Sequence, residues 1–174
     1  MSQIKRILVP TDFSDTSDAA LTHARTLADS LGASLHLVHV FDDPYGNALV
    51  AEMSTSLYES MRATHMAQAR RRLLRRLPPA DRKQFHGSTA IVTGTPAQAI
   101  VDFATDRGMD LIVMGTHGRS GFAHLLLGSV AEQVVRTATC PVLTVRATQT
   151  ADVRAEESGF RNQESGLGQD SGHQ

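Results

Sequence analysis

Apolar residues recur along the first 146 positions in two alternating rhythms. Continuous short runs form the first: IKRILVP (4–10), SLHLVHVF (34–41), STAIVT (88–93), DLIVMG (110–115) and PVLTVR (141–146). Each has the length and the Val/Ile/Leu content of a strand. Helical spacing forms the second. Ala20, Leu21, Ala24, Leu27, Ala28 and Leu31 repeat at it behind a candidate cap at Ser14, and Gly32 supplies the stop. A second helical segment runs from about residue 51 to 77 and ends at Pro78-Pro79. A third opens at Thr95-Pro96, where proline suits the first helical position, and stops at Gly108. A fourth, 129–139, carries Val130, Val134, Val135 and Ala138 on one face. The order is βαβαβαβαβ. Helical crossovers require parallel pairing, and right-handed ones place helices on both sheet faces. Unbroken apolar strands are what a sheet covered on both faces needs. The pattern predicts a single doubly wound α/β domain with five parallel strands.

From residue 147 the pattern stops. The last 28 residues are rich in Gln, Ser, Gly and acids, with five acids, two arginines and one aromatic. Such a segment cannot bury enough surface to offset the entropy of ordering, so the expected division is a folded domain at 1–146 and a disordered tail at 147–174. Charge changes the picture little. The whole chain carries a net charge of −1 and the domain about +2, which gives no pull toward nucleic acid or anionic lipid. The single cysteine, Cys140, rules out an intramolecular disulfide. Neither a signal peptide nor a membrane span is legible, and the expectation is a cytoplasmic protein.

Chemistry concentrates at two strand ends. GTHGRSGFAHLLLGS (115–129) lies between the fourth strand and the helix after it, and holds Gly115, Gly118, Gly121 and Gly128. Glycine costs backbone entropy in ordered segments, so the positions call for bare or unusual backbone. Ligands of open α/β sheets sit beyond the carboxyl ends of the strands, where strand order reverses. Gly115 and Gly118 would let backbone approach a phosphate, and Gly128-Ser129 open a helix whose first N–H groups favour an anion. Ser129 would cap that helix or bind a phosphate oxygen. Pro10-Thr11-Asp12, at the end of the first strand, would share the crevice if the first and fourth strands are neighbours. Neither G-x-x-x-x-G-K-[ST] nor G-x-G-x-x-G is present.

The spacing Gly115-x2-Gly118-x9-Gly128-Ser129 resembles the ATP-binding signature of the universal stress protein family, as do ILVPTDFS (7–14) and CPVLTV (140–145) at the first and last strands. The resemblance spans about residues 4–146. It implies the strand order 3-2-1-4-5, adenine-nucleotide binding and a homodimer. By position it implies that Pro10 and Asp12 line the nucleoside, with Asp12 near the ribose or a nucleotide-bound divalent ion such as Mg or Mn. Val40 would meet adenine. Gly115, Gly118, Gly128, Ser129 and Val130 would hold the phosphates of ATP, while Arg119 either reaches a phosphate or is solvated.

Other residues point elsewhere more weakly. Asp12 is also placed to close a turn before the first helix. His36 and His39 fall on opposite faces of one strand and cannot share a metal ion. Arg70, Arg71, Arg72, Arg75 and Arg76 read as a solvated basic face, because nucleic-acid binding would call for interleaved aromatics. Cys140 reads as packing. Three functions stay open: a nucleotide-binding regulatory protein of the stress response, a slow ATP-hydrolysing or self-phosphorylating enzyme, and an interaction module without nucleotide. The last strand, PVLTVR, would be a sheet edge blunted only by Pro141, and so a candidate dimer contact.

Overall fold

A computed structural model describes residues 3–42, 55–116 and 127–146. Along the chain run β1 (Arg6–Pro10), α1 (Asp15–Leu31), β2 (Ser34–Phe41), α2 (Thr55–Arg76), α3 (Pro79–Gln84), β3 (Ser88–Thr93), α4 (Pro96–Asp106), β4 (Leu111–Gly115), α5 (Ser129–Thr137) and β5 (Val142–Val145). The strands form one parallel sheet in the order β3-β2-β1-β4-β5. Alternation along each strand sends side chains to two separate cores. Ile7, Val9, Leu35, Leu37 and Val113 pack with Ala20, Leu21 and Ala24 of α1 and Leu73 of α2. Leu8, Val38, Ile112 and Met114 pack with Ile100 and Ala104 of α4 and Val134 of α5. Ile7, Leu8, Val9, Ile112 and Val113 are wholly buried, as central strands covered on both faces must be.

The helix boundaries follow the caps. Ser14 accepts a hydrogen bond from the Ser17 N–H, and Gly32 ends α1 at φ 64. Thr95 occupies the cap position of α4 but makes no side-chain bond there. Pro78-Pro79 do end α2, yet Pro79 also opens α3, an element the pattern did not predict. Proline preorganises a first helical turn as readily as it closes the previous helix. The start near residue 51, the tail and Gly121 lie outside the described residues. No described helix is long and apolar enough to cross a membrane.

Strand order reverses between β1 and β4, which pair through Ile7–Leu111 and Leu8–Ile112. At the edge, the Pro141 and Val145 carbonyls accept from Ile112 N and Thr116 N. With a strand period of two, the backbone groups of Val142 and Thr144 face away from β4.

Candidate functional site

A cavity of about 360 Å³ opens at the carboxyl ends of β1 and β4, where the strand order reverses. That size falls within the range of small-molecule sites. Of the residues singled out from the sequence, it brings together Pro10, Thr11, Asp12, Val40, Gly115, Gly128, Ser129 and Val130. Gly118 and Arg119 lie outside the described residues. Pro96, Ile100 and Met114 add an apolar wall, and Ser17, His39 and Thr116 add polar groups that sequence reasoning missed. His39 carried a signal: as the neighbour of Val40 it also sits at the carboxyl end of β2.

The β1–α1 turn supplies the polar wall. Thr11 is buried; its N–H donates to the Val38 carbonyl at 2.8 Å, and its Oγ1 accepts from Phe13 N at 3.0 Å. His39 Nδ1 donates to the Thr11 carbonyl at 2.8 Å, which fixes the ring's orientation. Asp12 Oδ1 accepts from the Ser14 N–H at 3.0 Å and the Ser14 hydroxyl at 2.5 Å. The turn-closing reading of Asp12 is therefore correct as far as it goes, and Asp12 lines the cavity as well. Burial of Asp12 opposes its charge, but hydrogen bonds from the side chain and backbone of Ser14 and from the Ser17 hydroxyl outweigh it. The carboxyl sits below its ordinary value and is ionised at neutral pH.

The opposite wall is the start of α5. Gly128 is the cap residue, at φ −71 and ψ 154, and no side chain caps this helix. Ser129 is the first helical residue, so the expectation that it caps α5 is corrected: its side chain starts one position too late. Gly128 N donates to the Thr116 carbonyl at 2.7 Å, and Thr116 N to the Val145 carbonyl at 2.8 Å, tying the helix start to β4 and β5. The cavity thus has an uncapped, electropositive helix terminus on one side and an ionised carboxylate with apolar surface on the other.

Gly115 has a different reason to be glycine. A Cβ there would lie 3.0 Å from the backbone carbon and oxygen of Thr16. The strand end is pressed against the first turn of α1, so Gly115 serves packing at the cavity's edge.

The basic cluster divides. Arg71 and Arg75 are exposed, as a solvated face requires. The reading is corrected for Arg72 and Arg76, which reach back to Phe13 in the β1–α1 turn. His36 and His39 diverge as expected: His36 bonds Ser34 and Ser88, while His39 packs on Phe13. Among the described residues no cluster of His, Cys, Asp or Glu could hold a metal ion. Burial pushes the Cys140 thiol up, which suits packing.

The profile of the Universal stress protein family matches residues 3–146. Universal stress protein MJ0531 of Methanocaldococcus jannaschii is 37% identical over 142 residues, covering 82% of this chain and 82% of the relative. The solved structure of hypothetical protein MJ0577 aligns with a TM-score of 0.73 at 30% identity, over 86% of this chain and 100% of that one; the same organism is its source. A universal stress protein solved in complex with cAMP aligns with a TM-score of 0.54 at 26% identity, over 83% of this chain and 98% of that one.

Proposed function

Because the chain belongs to the universal stress protein family, we propose that it is an adenine-nucleotide-binding regulatory protein of the stress response. The carrying observation is a cavity that joins an uncapped helix N-terminus to an apolar wall at the strand-order reversal. Phosphates would lie at Gly128, Ser129 and Val130, against the first-turn N–H groups of Ser129 and Val130 and the positive end of the α5 dipole, the Gly128 N–H being already given to Thr116. Adenine would lie against Val40. Asp12, already ionised, would accept from ribose hydroxyls or meet a Mg or Mn ion carried by the nucleotide. The relative in complex with cAMP supports the adenine-nucleotide class.

ATP is the proposed ligand, on the glycine spacing, and the proposed role is binding without efficient turnover. Phosphoryl transfer calls for residues that position the γ-phosphate and the attacking group, and the sequence does not carry the P-loop pattern with its lysine. Equilibrium dialysis with labelled ATP, followed by a turnover assay on the same sample, tests both. Saturable binding with negligible release of phosphate is expected. Rapid turnover would make the protein an enzyme, and absent binding would leave an interaction module.

We also propose a homodimer through β5, which has β4 as its one neighbour in the described sheet and exposes Leu143 by 40%. The outward backbone groups of Val142 and Thr144 would pair with the same strand of a second copy. Thr144→Pro deletes an outward donor and should convert a dimer to a folded monomer. Leu143→Pro, whose N–H faces β4, should instead destabilise the fold. Sedimentation at micromolar concentration reads the first effect, and a folded Thr144→Pro dimer would refute this interface. The tail at 147–174 is proposed to be dispensable for nucleotide binding.

A further inference from the structure

Phe13 stands at φ 67, a left-handed backbone that a bulky side chain rarely adopts. Such backbone persists only where its surroundings over-determine it. Besides the bonds within the turn itself, α2 supplies part of those surroundings. The Arg72 guanidinium lies 4.2 Å from the Phe13 ring centroid, and that of Arg76 lies 5.0 Å from it. Arg76 Nη2 also donates to the Phe13 carbonyl at 3.3 Å. Arg76 is itself aimed by a two-point grip on Asp18, at 2.6 Å from Nε and 2.8 Å from Nη2. That fork geometry is specific to arginine. His39 packs on the same ring at 4.4 Å between centroids and lines the cavity.

The residue so held sits between Asp12 and Ser14, whose mutual hydrogen bonds set the polar wall. If Phe13 relaxed to ordinary negative φ, the Phe13–Ser14 peptide would rotate. The Ser14 N–H would then leave Asp12, and the Thr11 and Asp12 surface would change.

We propose that Arg72 and Arg76 are positioning residues, holding the β1–α1 turn in its ligand-ready form so that nucleotide affinity depends on α2. The proposal rests on the nucleotide reading of the cavity. Linkage makes the coupling reciprocal: a bound nucleotide must steady the α2 arginines as much as they favour it. In this protein α2 is then the element through which occupancy of the cavity reaches the opposite end of the β1–α1 turn. Neither arginine lines the cavity, so the proposed effect on affinity is indirect.

The test is dialysis with labelled ATP on the full chain and on Arg76→Ala, Arg76→Lys and Leu77→Ala, at a temperature where circular dichroism shows all four folded. Leu77 is wholly buried one residue away and carries none of the contacts to Phe13 and Asp18, so Leu77→Ala serves as the stability control. Arg76→Ala should bind at least about 5-fold more weakly, because the competent turn is populated less. Arg76→Lys, which keeps the charge and loses the fork, should also weaken binding. Leu77→Ala should bind as the parent does. ATP should slow amide hydrogen exchange over residues 69–77 in the parent and not in Arg76→Ala. If the parent does not bind ATP, the nucleotide reading fails and takes this inference with it. If the parent binds and Arg76→Ala binds equally well, only this inference is overturned. Equal weakening by Leu77→Ala would overturn it too, by tying affinity to stability alone.

Discussion

Gly128→Val weakens adenine-nucleotide binding by at least about tenfold, or about 1.4 kcal/mol, in a protein that remains folded. Gly128 has φ −71 and ψ 154, ordinary extended backbone open to a β-branched residue. Its backbone therefore gives no reason for glycine, and its N–H bond to the Thr116 carbonyl survives the change. What changes is the mouth of α5, where a branched side chain enters the space proposed for phosphate. Gly128→Asp sharpens the test. Aspartate is a good cap residue and would leave stability equal or slightly higher. Its carboxylate would nonetheless occupy the anion position and repel phosphate. Dialysis against ATP and a thermal melt on each variant suffice. Unchanged affinity in both variants with native circular dichroism would remove the phosphates from the start of α5.

Gly115→Val behaves in the opposite way: it damages the fold first. Its Cβ would sit 3.0 Å from the Thr16 carbonyl carbon and oxygen and 3.1 Å from Thr16 Cβ. Those backbone atoms belong to the first turn of α1 and cannot step aside as a flexible side chain would. Overpacking of this kind costs about 1–3 kcal/mol, and the branched methyls of valine place this variant toward the upper end. Urea unfolding should show a lower midpoint with an unchanged slope. Gly115→Ala should lie between the parent and the valine variant. A Gly115→Val protein as stable as the parent would show that α1 and β4 are not in this contact. Gly128 and Gly115 thus separate by assay: one variant loses ligand, the other loses stability.

Their difference marks how far the sequence could be read. The five strands, the cap at Ser14 and the stops at Gly32 and Gly108 were legible because each is a local rule acting within a few residues. The gathering of Pro10, Thr11, Asp12, Gly115, Gly128 and Ser129 at one cavity was legible from the strand ends once the family resemblance implied that β1 and β4 are neighbours, while Val40 and Val130 came from the resemblance alone. The reason for Gly115 was not, since its constraint is Thr16, far away along the chain and adjacent only after folding. Ser129 was displaced from the cap by one position, a distinction that hydroxyl preference alone does not make. Helix α3 was hidden because Pro79 reads equally as an end and a beginning. Arg72 and Arg76 looked like Arg71 and Arg75 in the sequence. They differ because, four residues apart, they share the face of α2 that is turned to Phe13.

An adenine nucleotide in the cavity between β1 and β4 would touch amides at three strand ends and at the start of α5. Amide NMR during an ATP titration of the full chain tests this placement most directly. Saturable shifts are expected at Thr11, Asp12, Val40, Ser129 and Val130, with Ser88 and Thr89 at the far, amino end of β3 unmoved. Saturable binding whose shifts fall on β3 and leave the β1 and α5 ends unchanged would contradict it, as would a titration that moves no amide at all.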